Sequence, residues 1–213
     1  MLIRSWDAAT DDEWREWLAT GPQFGQLVAV DADCRPVVAP TPFLFDGDAT
    51  VLLHLAKANP LLPALELRGE AMLTVVDDYA HIPGTWRPQD GDPPREGVPT
   101  EFYAAAQLFG TVELVDDPAA KADLLRRQLG GYRMAGDHAE VNTTDSPYAR
   151  QLNAIRGVVL HVTETRAKFK FDDRRTVEVQ RDVARRLAER ATGRDLGAHR
   201  QTMRRLARRT NGS

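Results

Sequence analysis

Val51-Leu52-Leu53-His54-Leu55-Ala56-Lys57-Ala58-Asn59-Pro60 reads as a strand that stops short and a helix about to begin. The first half is short and apolar and follows the turn signal Asp46-Gly47-Asp48, the pattern of a buried strand. Asn59 before Pro60 suits a helix start, with the Asn side chain accepting an orphan N–H and Pro at the first helical position. His54, Lys57 and Asn59 are thereby gathered where a strand feeds a helix N-terminus. Free N–H groups and the helix dipole favour an anion at such a place. The competing reading is an ordinary connection with one solvated lysine.

Working outward, Thr10-Asp11-Asp12-Glu13 is a capping box, followed by Trp14, Trp17 and Leu18 at helical spacing and by a stop at Gly21-Pro22. Phe24–Val30 and Pro36–Phe45 read as a hairpin around Asp31-Ala32-Asp33. Pro40 and Pro42 make its second strand an edge, or a strand paired along part of its length. Beyond the anchor stretch a short helix through Leu61, Leu65 and Leu67 ends at Gly69, and Ala71–Val76 is another buried strand. A Pro/Gly-rich loop is expected over His81–Pro99, with the polar run Gln89–Gly97 inside it and Trp86 ordering part of it. Phe102–Val115 is a long strand bent at Gly110, and Asp117-Pro118 starts a helix carrying Leu124, Leu125 and Leu129. Gly130–Asp145 carries no decisive pattern. Tyr148–Ile155 is a helix, Val158–Phe171 the last strand, and Val177–Ala191 and Leu196–Arg209 are helices.

Strands without regular strand–helix alternation favour an antiparallel barrel decorated by helices over a parallel sheet, an α+β, mainly β chain. The 213 residues, 42% hydrophobic, suffice for a substantial core. With no run of about 18 apolar residues, no signal-peptide pattern and a single cysteine, Cys34, a cytoplasmic protein without membrane spans is expected. Charge is unevenly placed. Residues 166–213 carry 15 basic and 6 acidic side chains, a surplus of nine, which leaves −12 on the first 165 of a chain whose net charge is −3. Arg200, Arg204, Arg205, Arg208 and Arg209 would stripe the last helix, with Met203 and Leu206 on another face. Such a stripe suits nucleic-acid phosphates, but the acidity of the whole chain favours pairing within the protein or with a partner subunit.

The five histidines show no metal-ligand spacing, and no G-x-S-x-G, Walker or dinucleotide glycine pattern is present. His81 beside Tyr79 reads as polar surface before it reads as an acid–base group.

Four pieces together resemble the PaiB-type FMN-binding negative transcriptional regulators of the FMN-binding split-barrel superfamily, over about Phe24 to Arg175. They are His54-Leu55-Ala56-Lys57-Ala58-Asn59-Pro60, Ala80-His81-Ile82-Pro83-Gly84-Thr85-Trp86-Arg87, Val98-Pro99-Thr100-Glu101-Phe102-Tyr103 and Lys168-Phe169-Lys170-Phe171. The chain departs from the family pattern at Pro83-Gly84 and Arg87, at Glu101-Phe102, and at Asp172-Asp173-Arg174, where the family has Ser-Gln-Asn. These departures cluster where the flavin-ring side of a site is expected.

The resemblance implies a split β-barrel over residues 1–171 and a basic helical extension over 172–213 packed on the same domain. It implies a homodimer with FMN at the interface, acting as a flavin-dependent oxidoreductase. Lys57, with His54 and the backbone near Asn59, would hold the phosphate, and Thr41 would add a hydroxyl. Trp86, Thr100 and Tyr103 would border the ring or substrate, with Lys168 and Lys170 reaching in from the partner. A dimer is expected also because the apolar strands around Leu52, Val75, Leu108 and Val159 need a covered face. Two alternatives stand beside this: a negative regulator binding DNA or a partner without turnover, and a haem-binding barrel with His54 or His81 as axial ligand.

Overall fold

The computed structural model describes residues 1–88, 93, 96–131, 138–144 and 147–211. Among these, α1 (Asp11–Thr20) is followed by β1 (Phe24–Val30), β2 (Pro36–Pro42), β3 (Leu44–Phe45), β4 (Thr50–Ala56) and α2 (Leu61–Arg68). Then come β5 (Glu70–Ile82), a 3₁₀ turn (Gly84–Trp86), β6 (Thr100–Val115), α3 (Pro118–Gly131), α4 (Tyr148–Ala154), β7 (Ile155–Lys170), α5 (Val177–Arg190) and α6 (Asp195–Asn211). The strands form one antiparallel sheet in the order β2-β1-β5-β6-β7-β4-β3. The strands at the two ends of this order are separated in sequence by Phe43 alone, and β2 also touches β4, so the sheet curls on itself. This is the barrel that the strand pattern predicts. None of the helices described is long and apolar enough to cross a membrane.

The chain clusters into two compact units, one of residues 11–75 and 107–165, the other of residues 1–10, 76–106 and 166–213. In the first, β1 pairs with β2 along their whole lengths, with Pro36, Pro40 and Pro42 opposite Val30, Gln26 and Phe24. All three prolines share one parity. Their missing N–H groups therefore fall on one side of β2, away from the ladder, as an outermost strand requires. The hairpin strand is shorter than its sequence suggests. Phe43 is buried and gives its N–H to Gln23 O, and Leu44–Phe45 pair with Leu52–Val51 of β4 instead. Asp46 then sets the turn into β4, its Oδ1 accepting the N–H groups of Asp48, Ala49 and Thr50. Partial burial works against the charged form, but these three donors outweigh it and hold the Asp46 carboxyl below its ordinary pKa. The core of this unit includes Trp17, Leu27, Leu53, Leu61, Leu65, Leu73 and Leu108. Leu52, Val75 and Leu108 are also buried within the chain, so they do not call for a twin subunit to cover them.

In the second unit Phe102, Phe169 and Phe171 make an edge-to-face cluster, and α5 and α6 pack together through residues that include Val183, Leu187, Ala198 and Leu206. The loop expected from His81 starts later than its composition suggests, because β5 continues through Ile82 and a 3₁₀ turn follows. Most of the polar run Gln89–Gly97, and much of Gly130–Asp145, lies outside the described residues. Two arginines of the basic stripe of α6 bind groups of the protein itself, while Arg200 is exposed. Arg205 binds Asp173 and the carbonyls of Trp6 and Ala8, and Arg209 binds the carbonyls of Asp173 and Arg175.

Candidate functional site

The stretch that closes β4 is built much as its sequence dictates. β4 ends at Ala56, residues 57–58 turn, and α2 begins at Leu61. Asn59 organises the start of the helix, its Oδ1 accepting Leu61 N–H at 2.9 Å and its carbonyl accepting Leu62 N–H at 3.1 Å. One part of the sequence reading is corrected here. Pro60 and Pro63 have no N–H, and those of Leu61 and Leu62 are already bound to Asn59. The first turn of α2 therefore has no free N–H to offer an anion, and attraction there rests on side chains and the helix dipole.

Lys57 supplies the charge. Its side chain is exposed, while its backbone N–H is tied to Ala154 O at 2.8 Å. The other cations around it are committed. Lys121, 3% exposed, gives its Nζ to the carbonyls of Leu152 and Ile155 at 2.5 and 3.2 Å. Burial, reinforced by the charge of Lys57, lowers the Lys121 pKa. Arg156 grips Asp116 with Nε and Nη2 at 2.8 and 2.6 Å and binds Glu66 with Nη1. The Arg156 hydrogen bonds lower the Asp116 pKa. Lys57 is thus an accessible ammonium set on a rigid turn, and with the free NH₂ of Asn59 it fits a phosphate by charge and donor chemistry.

His54 lies on β4 opposite Gly157 of β7. A Cβ at Gly157 would stand 3.0 Å from Leu124 Cδ1 and from Val115 Cβ, so the glycine is what lets α3 lie so close. From α3, fully buried Gln128 meets His54 Nδ1 at 2.8 Å through Oε1 and gives its Nε2 to Leu52 O at 3.0 Å. Lys121 and Gln128 were not singled out in the sequence, yet the signal was there. They fall in one stripe with Leu124 and Leu125 at helical spacing, two polar side chains on the apolar face of α3. Thr41 belongs to the same unit but is buried, its hydroxyl donating to Pro42 O at 3.1 Å.

The remaining expected residues lie in the other unit. Lys168 and Lys170 place their ammonium groups 5.6 and 5.9 Å from the Tyr103 ring centroid, within cation–π range. Lys170 Nζ also donates to Thr100 Oγ1 at 2.7 Å, and nearly buried Lys168 donates to Leu2 O at 3.0 Å and faces Asp7. Thr100, Tyr103, Lys168 and Lys170 are therefore one cluster. Trp86 lies under the guanidinium groups of Arg190 and Arg186 at 4.8 and 5.8 Å. His81 is exposed and paired with Glu101 at 2.7 Å. Among the described residues no three His, Cys, Asp or Glu converge as metal ligands would.

Two of the departures from the family pattern bind each other, and others bind elsewhere in the same unit. Arg87 makes a two-pronged contact with Asp172 at 2.6 and 3.0 Å, Asp173 takes Arg205, and the Arg174 guanidinium lies 4.5 Å from the Trp6 ring centroid.

The family model described as "Putative FMN-binding domain" matches residues 1–164. Among solved structures the chain is similar to the flavocytochrome Anf3 from Azotobacter vinelandii, at 22% identity and a TM-score of 0.61 over 79% of this chain and 72% of that one. It is also similar to the FAD and heme binding protein from Mycobacterium smegmatis, at 20% identity and a TM-score of 0.59 over 77% and 73% of the two chains. At these identities the likeness establishes the fold, a split barrel with added C-terminal helices. No curated protein matches the chain.

Proposed function

This chain belongs to the FMN-binding domain family, and on that premise we propose that it is a homodimeric flavoprotein of oxidoreductase type. The flavin supplies the redox chemistry, and the protein supplies position and electrostatics. Lys57 holds the phosphate, aided by the Asn59 amide. Tyr103, Thr100, Lys168 and Lys170 form a separate cationic and aromatic surface for the ring or substrate, with Trp86 bordering it. The observation that carries the reading is the exposed ammonium of Lys57 on a fixed turn, in a neighbourhood where Lys121 and Arg156 are already paired.

Dimer formation is supported by one sheet face. Phe24, Val30 and Val38 are 60, 41 and 49% exposed and lie on β1 and β2 among Pro36, Pro40 and Pro42. A contiguous apolar patch of this kind marks an interaction surface, and obligate interfaces commonly bury about 2,000 Å² or more. A PaiB-type DNA-binding regulator is the weaker reading, because Arg205 is shielded in its pair with Asp173 and Arg209 is held by the carbonyls of Asp173 and Arg175. The absorption spectrum of the freshly purified protein, with light scattering on the same sample, tests the proposal. A flavin spectrum and a dimer mass are expected; a haem spectrum, or a monomer at micromolar concentration, overturns it.

A further inference from the structure

His54 and Gln128 carry more information than proximity. Leu52 O can only accept, so the Gln128 NH₂ must face it and Oε1 must face His54. Oε1 can only accept as well, so Nδ1 of His54 carries the proton of that 2.8 Å bond. In the neutral ring Nε2 is then a bare lone pair. A phosphate dianion offers lone pairs alone and finds no donor there, whereas a hydroxyl can donate its proton to that lone pair.

We propose that Gln128 is a positioning residue that presents Nε2 of His54 as a hydrogen-bond acceptor, so that His54 takes a hydroxyl of the flavin's ribityl chain and not its phosphate. This rests on the reading that Lys57 marks the phosphate end of the FMN site. It divides the work at the end of β4: Lys57 reads the anion, and His54 three residues earlier reads the polyol that leads to it. The burial of Gln128 and the absence of a side chain at Gly157 serve this arrangement, since both let α3 approach the His54 side of β4.

Two measurements test it at about pH 8, where a free imidazole is neutral. The first is ¹⁵N NMR of the imidazole in the flavin-free protein. It should show His54 protonated at Nδ1 and bare at Nε2, and the preference should disappear in Gln128→Leu. A proton on Nε2, or free exchange between tautomers in wild type, overturns the proposal whether or not FMN binds. The second is titration of wild type and His54→Leu with FMN, riboflavin and lumiflavin. Losing one neutral hydrogen bond should weaken FMN and riboflavin equally, by roughly three- to tenfold, and leave lumiflavin unchanged. A loss confined to FMN places His54 on the phosphate, and an equal loss with lumiflavin places it on the ring or in the fold; either result refutes the assignment. A wild type that discriminates none of the three flavins refutes the Lys57 reading instead, while the NMR result still decides the tautomer.

Discussion

Truncating Lys57 to alanine removes one exposed ammonium and little else. Its backbone N–H remains on Ala154 O, and the side chain is outside the core, so the fold should be unaffected. The magnitude follows from what surrounds the turn. No free N–H is left in the first turn of α2, and Lys121 and Arg156 are bound elsewhere. Most of the charge-based attraction for a phosphate therefore rests on Lys57. Two unit charges about 4 Å apart attract by about 1 kcal/mol in water, so a dianion gains about 2 kcal/mol. A hydrogen bond to a charged group contributes about 1.5–3 kcal/mol by another route. Both estimates correspond to a loss of roughly ten- to a hundredfold in FMN affinity. Riboflavin, which lacks the phosphate, should bind wild type and Lys57→Ala alike. Flavin fluorescence titrations of both proteins with both ligands measure this, and the FMN advantage of wild type should shrink as salt is raised. An equal loss for the two flavins, or no loss for FMN, would show that the phosphate is held elsewhere.

Three further outcomes are expected. Asp195 is buried and accepts two bonds from Arg190 at 2.6 Å and two from Thr192 at 3.0 Å. The Arg190 hydrogen bonds lower its pKa, so its stabilisation is present above about pH 3.9, the ordinary carboxylate value, and is lost as pH falls through the folded-state pKa. In urea melts Asp195→Asn should therefore cost about 2–4 kcal/mol near pH 6, and progressively less as pH falls below the ordinary carboxylate value. Gly157→Ala should cost about 1–3 kcal/mol by pressing on Leu124 and Val115 and should weaken flavin binding by displacing Gln128; unchanged stability and affinity would show that α3 has slack. Fluorescence anisotropy in about 150 mM salt should detect no sequence-specific duplex binding, and binding abolished by deleting residues 196–213 would reverse this.

The legible parts of the fold were those governed by local chemistry. The capping residue Asp117, which accepts Ala120 N–H, and Gly69, which ends α2 in the left-handed region at φ 65°, act within a few residues and can be read directly. Strand ends were harder. Polar residues with the composition of a loop, such as Asp77, Asp78 and His81, continue β5 in the structure. Asp78 takes a positive φ of 50° there, yet the strand runs on to Ile82. Tertiary pairing decides that, and sequence periodicity does not contain it. The turn from β4 into α2 shows the same division. Asn59-Pro60 predicted the helix start correctly, but not that Asn59 and the two prolines would between them leave no free N–H in the first turn of α2.

Residues that depart from a family pattern pose the harder question, since one sequence cannot show whether the changes are independent. Distances answer it in part. Arg87 and Asp172 are 85 residues apart in sequence, yet they form a bidentate pair with both side chains mostly shielded. Either one alone would be a partly buried charge without its partner, which costs more than the pair returns. The two departures are therefore mutually dependent, and Asp173 with Arg205 repeats the logic one residue further on, drawing α6 into the same network. The altered loop after the 3₁₀ turn and the altered end of β7 are consequently one substitution in physical terms. Its effect is to occupy polar groups with each other, and on the proposed reading the ring or substrate would meet the Thr100, Tyr103 and Lys170 cluster rather than the altered positions.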